Sequence, residues 1–167
     1  MSLYSFFKNK KVLVTGHTGF KGSWLVTWLN ILDCKVLGIS LDPAKGDNHF
    51  KILKKNLKII DKRADIRNEK NLKKIIKQFK PDIVFHLAAQ SIVSTSYSYP
   101  KLTFETNVLG TFNLLSALAE LKYKCIAIFI TSDKCYKNIE VTRGYTETDE
   151  LGGDDFYSSS KASAELV

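Results

Sequence analysis

A glycine-rich turn between a short apolar run and a helical pattern constrains the fold of this chain more than any other feature. The run Lys11–Thr15 consists mostly of Val and Leu, and Gly16-His-Thr-Gly-Phe-Lys-Gly22 follows it directly. The residues after the turn have the spacing of one apolar helical stripe: Phe20, Trp24, Leu25, Trp28, Leu29 and Leu32. A strand, a glycine turn and a helix in this order predict the first unit of an α/β fold.

The alternation of strand and helix continues along the whole chain. Further strands are predicted at 35–40, 57–61, 82–87 and 126–130. Helices are predicted at 68–79, where Pro81 ends the pattern, at 101–121, and from Tyr157 onward. The apolar side of the second of these helices is predicted to carry Val108, Leu109, Phe112, Leu115 and Leu118. Strands joined by helical crossovers indicate a doubly wound parallel sheet, and the apolar run 126–130 is typical of a strand covered on both faces.

The number of strands bears on domain organisation. A dinucleotide-binding fold of this kind usually has six strands in two halves, whereas five are predicted here. We therefore expect residues 1–167 to form one incomplete Rossmann-like domain, with a C-terminal substrate domain absent.

Composition argues against several classes of protein. Apolar residues make up 44% of the chain and charged residues 25%, as in ordinary folded domains. The N-terminal charges follow a very short apolar patch, the reverse of a secretory signal, which favours a cytoplasmic protein without a membrane partner. The cysteines are odd in number and widely spaced, and His17 and His49 lie in loops without a partner pattern, so neither a disulfide framework nor a metal site is expected.

The net charge of +8 (25 basic minus 17 acidic residues) could indicate a nucleic-acid partner. However, the lysines of 71–80 alternate with apolar residues at helical spacing, which is typical of the solvated face of an amphipathic helix. Because no basic motif with interleaved aromatic residues accompanies them, we expect no nucleic-acid partner.

The glycine turn predicts a pyrophosphate site. Backbone N–H groups at a helix N-terminus bind phosphate oxygens when no side chain obstructs the approach. Gly16 would permit the turn, Gly19 the close approach of phosphate, and Gly22 tight packing of the helix on the strand. Asp42, at the end of the second strand, could bind the adenosine ribose and repel a 2′-phosphate, which favours NAD over NADP; a turn residue before Pro43 is an equally weighted alternative.

A Tyr157-Ser-Ser-Ser-Lys161 motif opens the last predicted helix. Residues four apart share a helix face, so the phenol and the ammonium can point at one site, and the ammonium stabilises the phenolate. Tyr157 could then remove a hydroxyl proton while hydride leaves the same carbon. Alone, this spacing is common on helix surfaces; its place after a Rossmann-like half favours the catalytic interpretation.

These motifs carry a family resemblance. The chain resembles the extended short-chain dehydrogenase/reductases, the NAD-dependent epimerases and dehydratases of nucleotide sugars, and within them the CDP-glucose 4,6-dehydratases. The glycine and Tyr-x-x-x-Lys motifs indicate the superfamily, and Thr131-Ser-Asp-Lys-Cys-Tyr136 narrows the choice. The other matching segments are His86-Leu-Ala-Ala-Gln-Ser91, Thr106-Asn-Val-Leu-Gly-Thr111, Leu151-Gly-Gly-Asp154 and Ala164-Glu-Leu-Val167.

The resemblance implies a reaction. In its first step Tyr157 deprotonates the C4 hydroxyl of CDP-glucose, aided by Ser132, and hydride passes to NAD. Lys134 then removes the C5 proton while Asp133 protonates the departing C6 hydroxyl, and hydride returns to C6. An exposed loop position for Lys134 is the alternative, because a lysine base requires burial.

The resemblance also implies cofactor contacts and assembly. Thr18, Phe20, Asp65, Ile66 and the segment Leu87-Ala88-Ala89 would contact NAD together with Tyr157 and Lys161, and His86 would have a structural role. An ordinary loop is the alternative for Asp65 and Ile66. The full-length protein would be a homodimer formed through helix 101–121 and the helix that carries Lys161, whereas no dimer is expected of the 167-residue chain itself.

Two other functions remain open at this stage. A nucleotide-sugar 4-epimerase would share the glycines and the Tyr-Lys pair without needing Asp133 and Lys134. A cofactor-binding fragment without catalysis is the second possibility, since the family holds its sugar and base mainly with the C-terminal portion. We expect the 167-residue chain itself to be poorly stable and nearly inactive.

Overall fold

The computed structural model describes residues 2–43, 45–46 and 48–167. Five parallel strands form one sheet in the order β3-β2-β1-β4-β5, which confirms the doubly wound, Rossmann-like α/β fold predicted from the sequence. The strands are β1 Lys11–Thr15, β2 Lys35–Ser40, β3 Ile59–Arg63, β4 Ile83–His86 and β5 Ile126–Phe129. The predicted third strand was placed two residues early, because Ile59 rather than Leu57 pairs with the sheet, opposite Val36.

Eight α-helices connect and cover the strands in the described part of the chain. They are α1 Leu3–Phe7, α2 Phe20–Ile31, α3 His49–Leu53, α4 Glu69–Phe79, α5 Val93–Ser98, α6 Pro100–Phe104, α7 Gly110–Ala119 and α8 Phe156–Leu166. The short helices α1, α3 and α5 were not predicted. Helix α4 begins one residue later than predicted, because Asn68 is its N-cap and accepts a hydrogen bond from Asn71 N. It ends at Phe79 as predicted, where Lys80 adopts the left-handed conformation.

The sheet separates two apolar cores. On one face α2 covers a cluster that includes Val12, Val14 and Val36, and on the other α4 and α7 cover Leu13, Leu37 and their neighbours. Alternate side chains of β1 therefore enter different cores, as expected for a strand buried on both faces. None of the helices in the described ranges is long and apolar enough to cross a membrane.

The buried face of α2 differs from the predicted stripe. Val26 and Leu29 enter the core beside Gly22 and Ser23, whereas Phe20, Trp24 and Trp28 are exposed. The reason is that α2 approaches the sheet on its small residues, and the bulky aromatic rings do not fit into that narrow gap. The prediction that all six apolar residues share the core face was therefore wrong.

The predicted helix 101–121 is divided by one wide π turn, Glu105–Leu109, between α6 and α7. The extra residue in this turn rotates the downstream face, so that Leu114 and Ala117 are buried while Leu109 and Phe112 are exposed. The predicted apolar side was consequently wrong at these two positions.

Strand β5 is one of the two edges of the sheet, and its isoleucine side chains are partly exposed. Ile126 is 52% exposed, although its register partner on β4, Ile83, is 2% exposed. The expectation that residues 126–130 are covered on both faces was wrong for this chain. An exposed apolar edge strand is a ready surface for association.

Candidate active site

A cavity of ≈ 610 Å³ opens at the carboxyl ends of β1 and β4, where the order of the strands reverses. Ligands of open α/β sheets bind at this point, and the volume is typical of a small-molecule site. Twelve of the thirteen predicted cofactor residues line it: Gly16, Thr18, Gly19, Phe20, Gly22, Asp65, Ile66, Leu87, Ala88, Ala89, Tyr157 and Lys161.

The glycine turn forms the cavity floor. Gly16 has a φ of +74°, and a Cβ on it would lie 2.8 Å from the backbone nitrogen of Ala88. Gly19 is the N-cap residue of α2 and supplies no side-chain acceptor, so the first N–H groups of this helix remain available to an anion. This cradle, which any side chain would fill, fits the pyrophosphate of a dinucleotide.

His17 anchors the glycine turn from inside the protein. Its ring is fully buried, and Nε2 lies 2.9 Å from Oδ1 of Asp61 on β3. Asp61 also pairs with Lys54 and Arg63. Burial lowers the pKa of His17, although Asp61 opposes this shift. His17 lies in a turn, as expected, but it has a partner that no local pattern indicated, because Asp61 is 44 residues away in sequence.

Asp42 is the one predicted cofactor residue outside the cavity. Its side chain is 89% exposed, and its Oδ1 atom lies 3.3 Å from Nε of Arg63. Ser40 and Leu41, which precede it in the chain, line the cavity in its place. The hydroxyl of Ser40 lies 2.6 Å from that of Thr18, which joins the end of β2 to the glycine turn.

Helix α8 brings Tyr157 and Lys161 to the other end of the cavity. Asp155 caps this helix and accepts hydrogen bonds from the backbone N–H groups of Tyr157 (2.8 Å) and Ser158 (2.9 Å). This cap positions the first turn of α8, in which Phe156 precedes Tyr157. Lys161 Nζ donates to the carbonyl of Ile130 at 3.4 Å, and burial lowers the pKa of Lys161.

Two polar residues that sequence reasoning missed, Gln90 and Asn107, support the part of the cavity that Tyr157 and Lys161 line. Asn107, in the π turn, accepts a hydrogen bond from Gln90 N at 2.8 Å and donates to Ser160 Oγ at 2.9 Å. Gln90 lines the cavity. An asparagine within a helical, largely apolar segment is unfavourable for the helix, and this was the available signal of a polar role.

The predicted catalytic trio Ser132, Asp133 and Lys134 lies outside the cavity wall, which Thr131 reaches instead. The Ser132 hydroxyl donates to Asp133 Oδ1 at 3.0 Å and accepts from Lys134 N at 3.2 Å. The side chains of Asp133 and Lys134 are 80% and 58% exposed. The burial that a lysine base requires is therefore not present at Lys134, and the exposed-loop alternative describes its position in this chain.

Comparison with known proteins identifies the family. The model of the GDP-mannose 4,6 dehydratase family matches residues 13–167. The chain belongs to this family. It is also 45% identical over 163 residues to the CDP-glucose 4,6-dehydratase of Salmonella typhimurium, an alignment covering 98% of this chain and 45% of that protein.

Two solved structures of family members have the same fold. One is the Thermus thermophilus UDP-glucose 4-epimerase complex with NAD, with a TM-score of 0.78 and 30% identity, covering 93% of this chain and 49% of that one. The other is Bacillus anthracis dTDP-glucose 4,6-dehydratase in complex with NAD, with a TM-score of 0.76 and 28% identity, covering 94% and 48%. The chain thus spans about half the length of the curated relatives it matches.

Proposed function

We propose that this chain is the NAD-binding portion, residues 1–167, of a nucleotide-sugar 4,6-dehydratase acting on CDP-glucose. The observation that carries the proposal is the shared cavity, which is lined both by the glycine cradle and by Tyr157 and Lys161. The identity to CDP-glucose 4,6-dehydratase supports the choice of substrate. The two NAD complexes of family members support the cofactor.

Different groups that line the cavity would bind the cofactor and accept the substrate proton. The N–H groups at the start of α2 would bind the pyrophosphate, and Ala88 and Ala89 are small enough to admit the nicotinamide ribose. Bound NAD supplies the acceptor, and later the donor, of hydride. Tyr157 would take the proton of the C4 hydroxyl, and the Lys161 ammonium would stabilise the phenolate.

Asp133 and Lys134 would act as acid and base only after moving toward the cavity or being covered. Because both side chains are exposed, a second candidate function is retained, that of a nucleotide-sugar 4-epimerase, which needs neither residue. The homodimer expected from the family stays a proposal, supported by the exposed side chains of Leu109, at the end of the π turn, and Phe112, on α7.

The test combines binding and turnover. The 167-residue chain is titrated with NAD, and the chain extended to the length of its relatives is incubated with NAD and either CDP-glucose or UDP-glucose. We expect NAD binding by both proteins, and a 4-keto-6-deoxy product from CDP-glucose with the extended protein. An epimerised sugar that retains its C6 oxygen would instead establish the epimerase. If neither the 167-residue chain nor the extended protein binds NAD, the proposal is refuted.

A further inference from the structure

A buried row of hydrogen bonds connects the end of β1 to the π turn. Ala88 N donates to Thr15 Oγ1 at 3.1 Å, and Thr15 Oγ1 lies 2.7 Å from His86 Nδ1. On the other side of the ring, His86 Nε2 lies 3.1 Å from Thr111 Oγ1, and the Thr111 hydroxyl donates to Asn107 O at 2.7 Å. The side chains of Thr15, His86, Asn107 and Thr111 are all buried.

The donors and acceptors in this row determine the state of the imidazole. Thr111 uses its one hydroxyl proton on the Asn107 carbonyl, so it can only accept from His86, and Nε2 must carry a proton. The Thr15 hydroxyl accepts a hydrogen bond from Ala88 N and donates its own proton to His86, so Nδ1 of His86 is unprotonated. His86 is therefore neutral. Burial, and secondly the charge of Lys161, agree with this by lowering the pKa of His86 to about 3.

The row continues into the catalytic helix. The Asn107 amide donates both to Gln90 O at 3.0 Å and to Ser160 Oγ at 2.9 Å. The Ser160 hydroxyl in turn donates to the carbonyl of Tyr157 at 2.7 Å. Two runs of hydrogen bonds, one ending at the backbone carbonyl of Asn107 and the other starting at its side-chain amide, thus connect Ala88, on the cavity wall, to the first turn of α8.

His86 itself does not line the large cavity, but it contributes to a small one of ≈ 10 Å³ that Lys161 also lines. A protonated ring at this place would be repelled by the Lys161 ammonium, which is also buried and lines the same small cavity, and it would leave the Thr15 proton without an acceptor.

We propose that His86 is a positioning residue. Its neutral ring links the end of β1 to helix α8 and so fixes Tyr157 and Lys161 relative to the strand ends that line the cavity. The predicted effect on catalysis rests on the proposed function, whereas the hydrogen bonds and the neutral state of the His86 ring do not. Because His86 does not line the large cavity, loss of the link should lower kcat while leaving the affinity for NAD nearly unchanged.

The link is tested at Thr111, in the extended protein, with a matched pair of variants. Thr111→Val keeps the shape but removes the hydroxyl, whereas Thr111→Ser keeps the hydroxyl. Loss of one buried hydrogen-bond partner predicts a decrease in kcat of about tenfold for Thr111→Val. We expect the dissociation constant for NAD to change less than about threefold, and Thr111→Ser to restore most of kcat. Equal losses of kcat and of NAD affinity in both variants would mean a merely structural role.

A second measurement is independent of catalysis and of the proposed function. In the ¹⁵N-labelled 167-residue chain, NMR correlation spectra report the tautomer and the charge of each histidine ring. We expect His86 to keep the Nε2–H tautomer and to stay neutral from pH 8 down to pH 5. An Nδ1–H tautomer, or titration of His86 near pH 6.5, would overturn the inference even if the enzyme proves to be a dehydratase.

Discussion

The carbonyl oxygen of Gly16 occupies the space in which a side chain on Gly22 would begin. This contact presses the first turn of α2 against the glycine turn, so that the N-terminus of the helix and the end of β1 line one cavity. The relationship couples helix packing to the shape of the anion cradle.

A methyl group at Gly22 should therefore damage both stability and binding. We expect Gly22→Ala to lower the free energy of unfolding by about 1–3 kcal/mol, since backbone must move to admit the Cβ, and to weaken NAD binding. Gly144→Ala is the matched control, because an added Cβ there has nothing within 4 Å. Urea unfolding and NAD titration measure the two effects. Unaltered NAD affinity in Gly22→Ala would contradict the assigned cradle.

Removal of the Tyr157 hydroxyl should abolish chemistry without abolishing binding. In the extended protein, loss of a general base predicts a decrease in kcat of about 10²- to 10⁴-fold for Tyr157→Phe, with NAD still bound. Tyr123→Phe, in the exposed loop before β5, is the control and should behave like the unmodified enzyme. A Tyr157→Phe enzyme that retained full turnover would remove Tyr157 from the proposed mechanism.

As the pH is lowered, the free energy of unfolding should decrease well before the carboxylates protonate. Burial holds the pKa of His86 at about 3 and also lowers the pKa of His17, whereas an unfolded histidine titrates near 6.5. Between these limits the unfolded chain binds protons that the folded chain does not, so stability is present above pH 6.5 and is lost as the pH falls.

For His86 this loss is about 2 kcal/mol at pH 5. The lowered pKa values of Asp61 and Asp65 add to the loss only below about pH 4, where unfolded aspartates begin to protonate. Urea midpoints at pH 7.5, 6 and 5 measure the decrease, and His86→Gln should show a shallower one. A flat profile between pH 7.5 and 5 would contradict the neutral state of His86.

The exposed edge strand predicts self-association of the chain. Ile126→Thr should reduce association while changing the free energy of unfolding by less than about 1 kcal/mol, because the side chain is half exposed. Ile83→Thr is its matched control on the neighbouring strand and should destabilise the fold by about 2 kcal/mol or more, since that side chain is buried. Sedimentation velocity measures the association, and urea unfolding measures the stability. If the Ile126→Thr variant associates as strongly as the unmodified chain, β5 is not the contact surface.

Much of this protein was determined by local sequence. The five strands, the glycine spacing from Gly16 to Gly22 and the four-residue step from Tyr157 to Lys161 depend on neighbours in the chain, and each is found where the sequence predicts it, apart from small shifts of strand ends. Periodicity and turn chemistry encode such features directly.

Only the tertiary structure decided which surfaces these elements bury. It placed His17 on Asp61 and Asn107 on Ser160, pairs 44 and 53 residues apart, turned Asp42 out of the cavity and left β5 uncovered. A helix or strand carries several apolar faces of similar strength, and the face that is buried depends on the size of the residues on the opposing element. That information lies in contacts between distant segments, and no local pattern contains it.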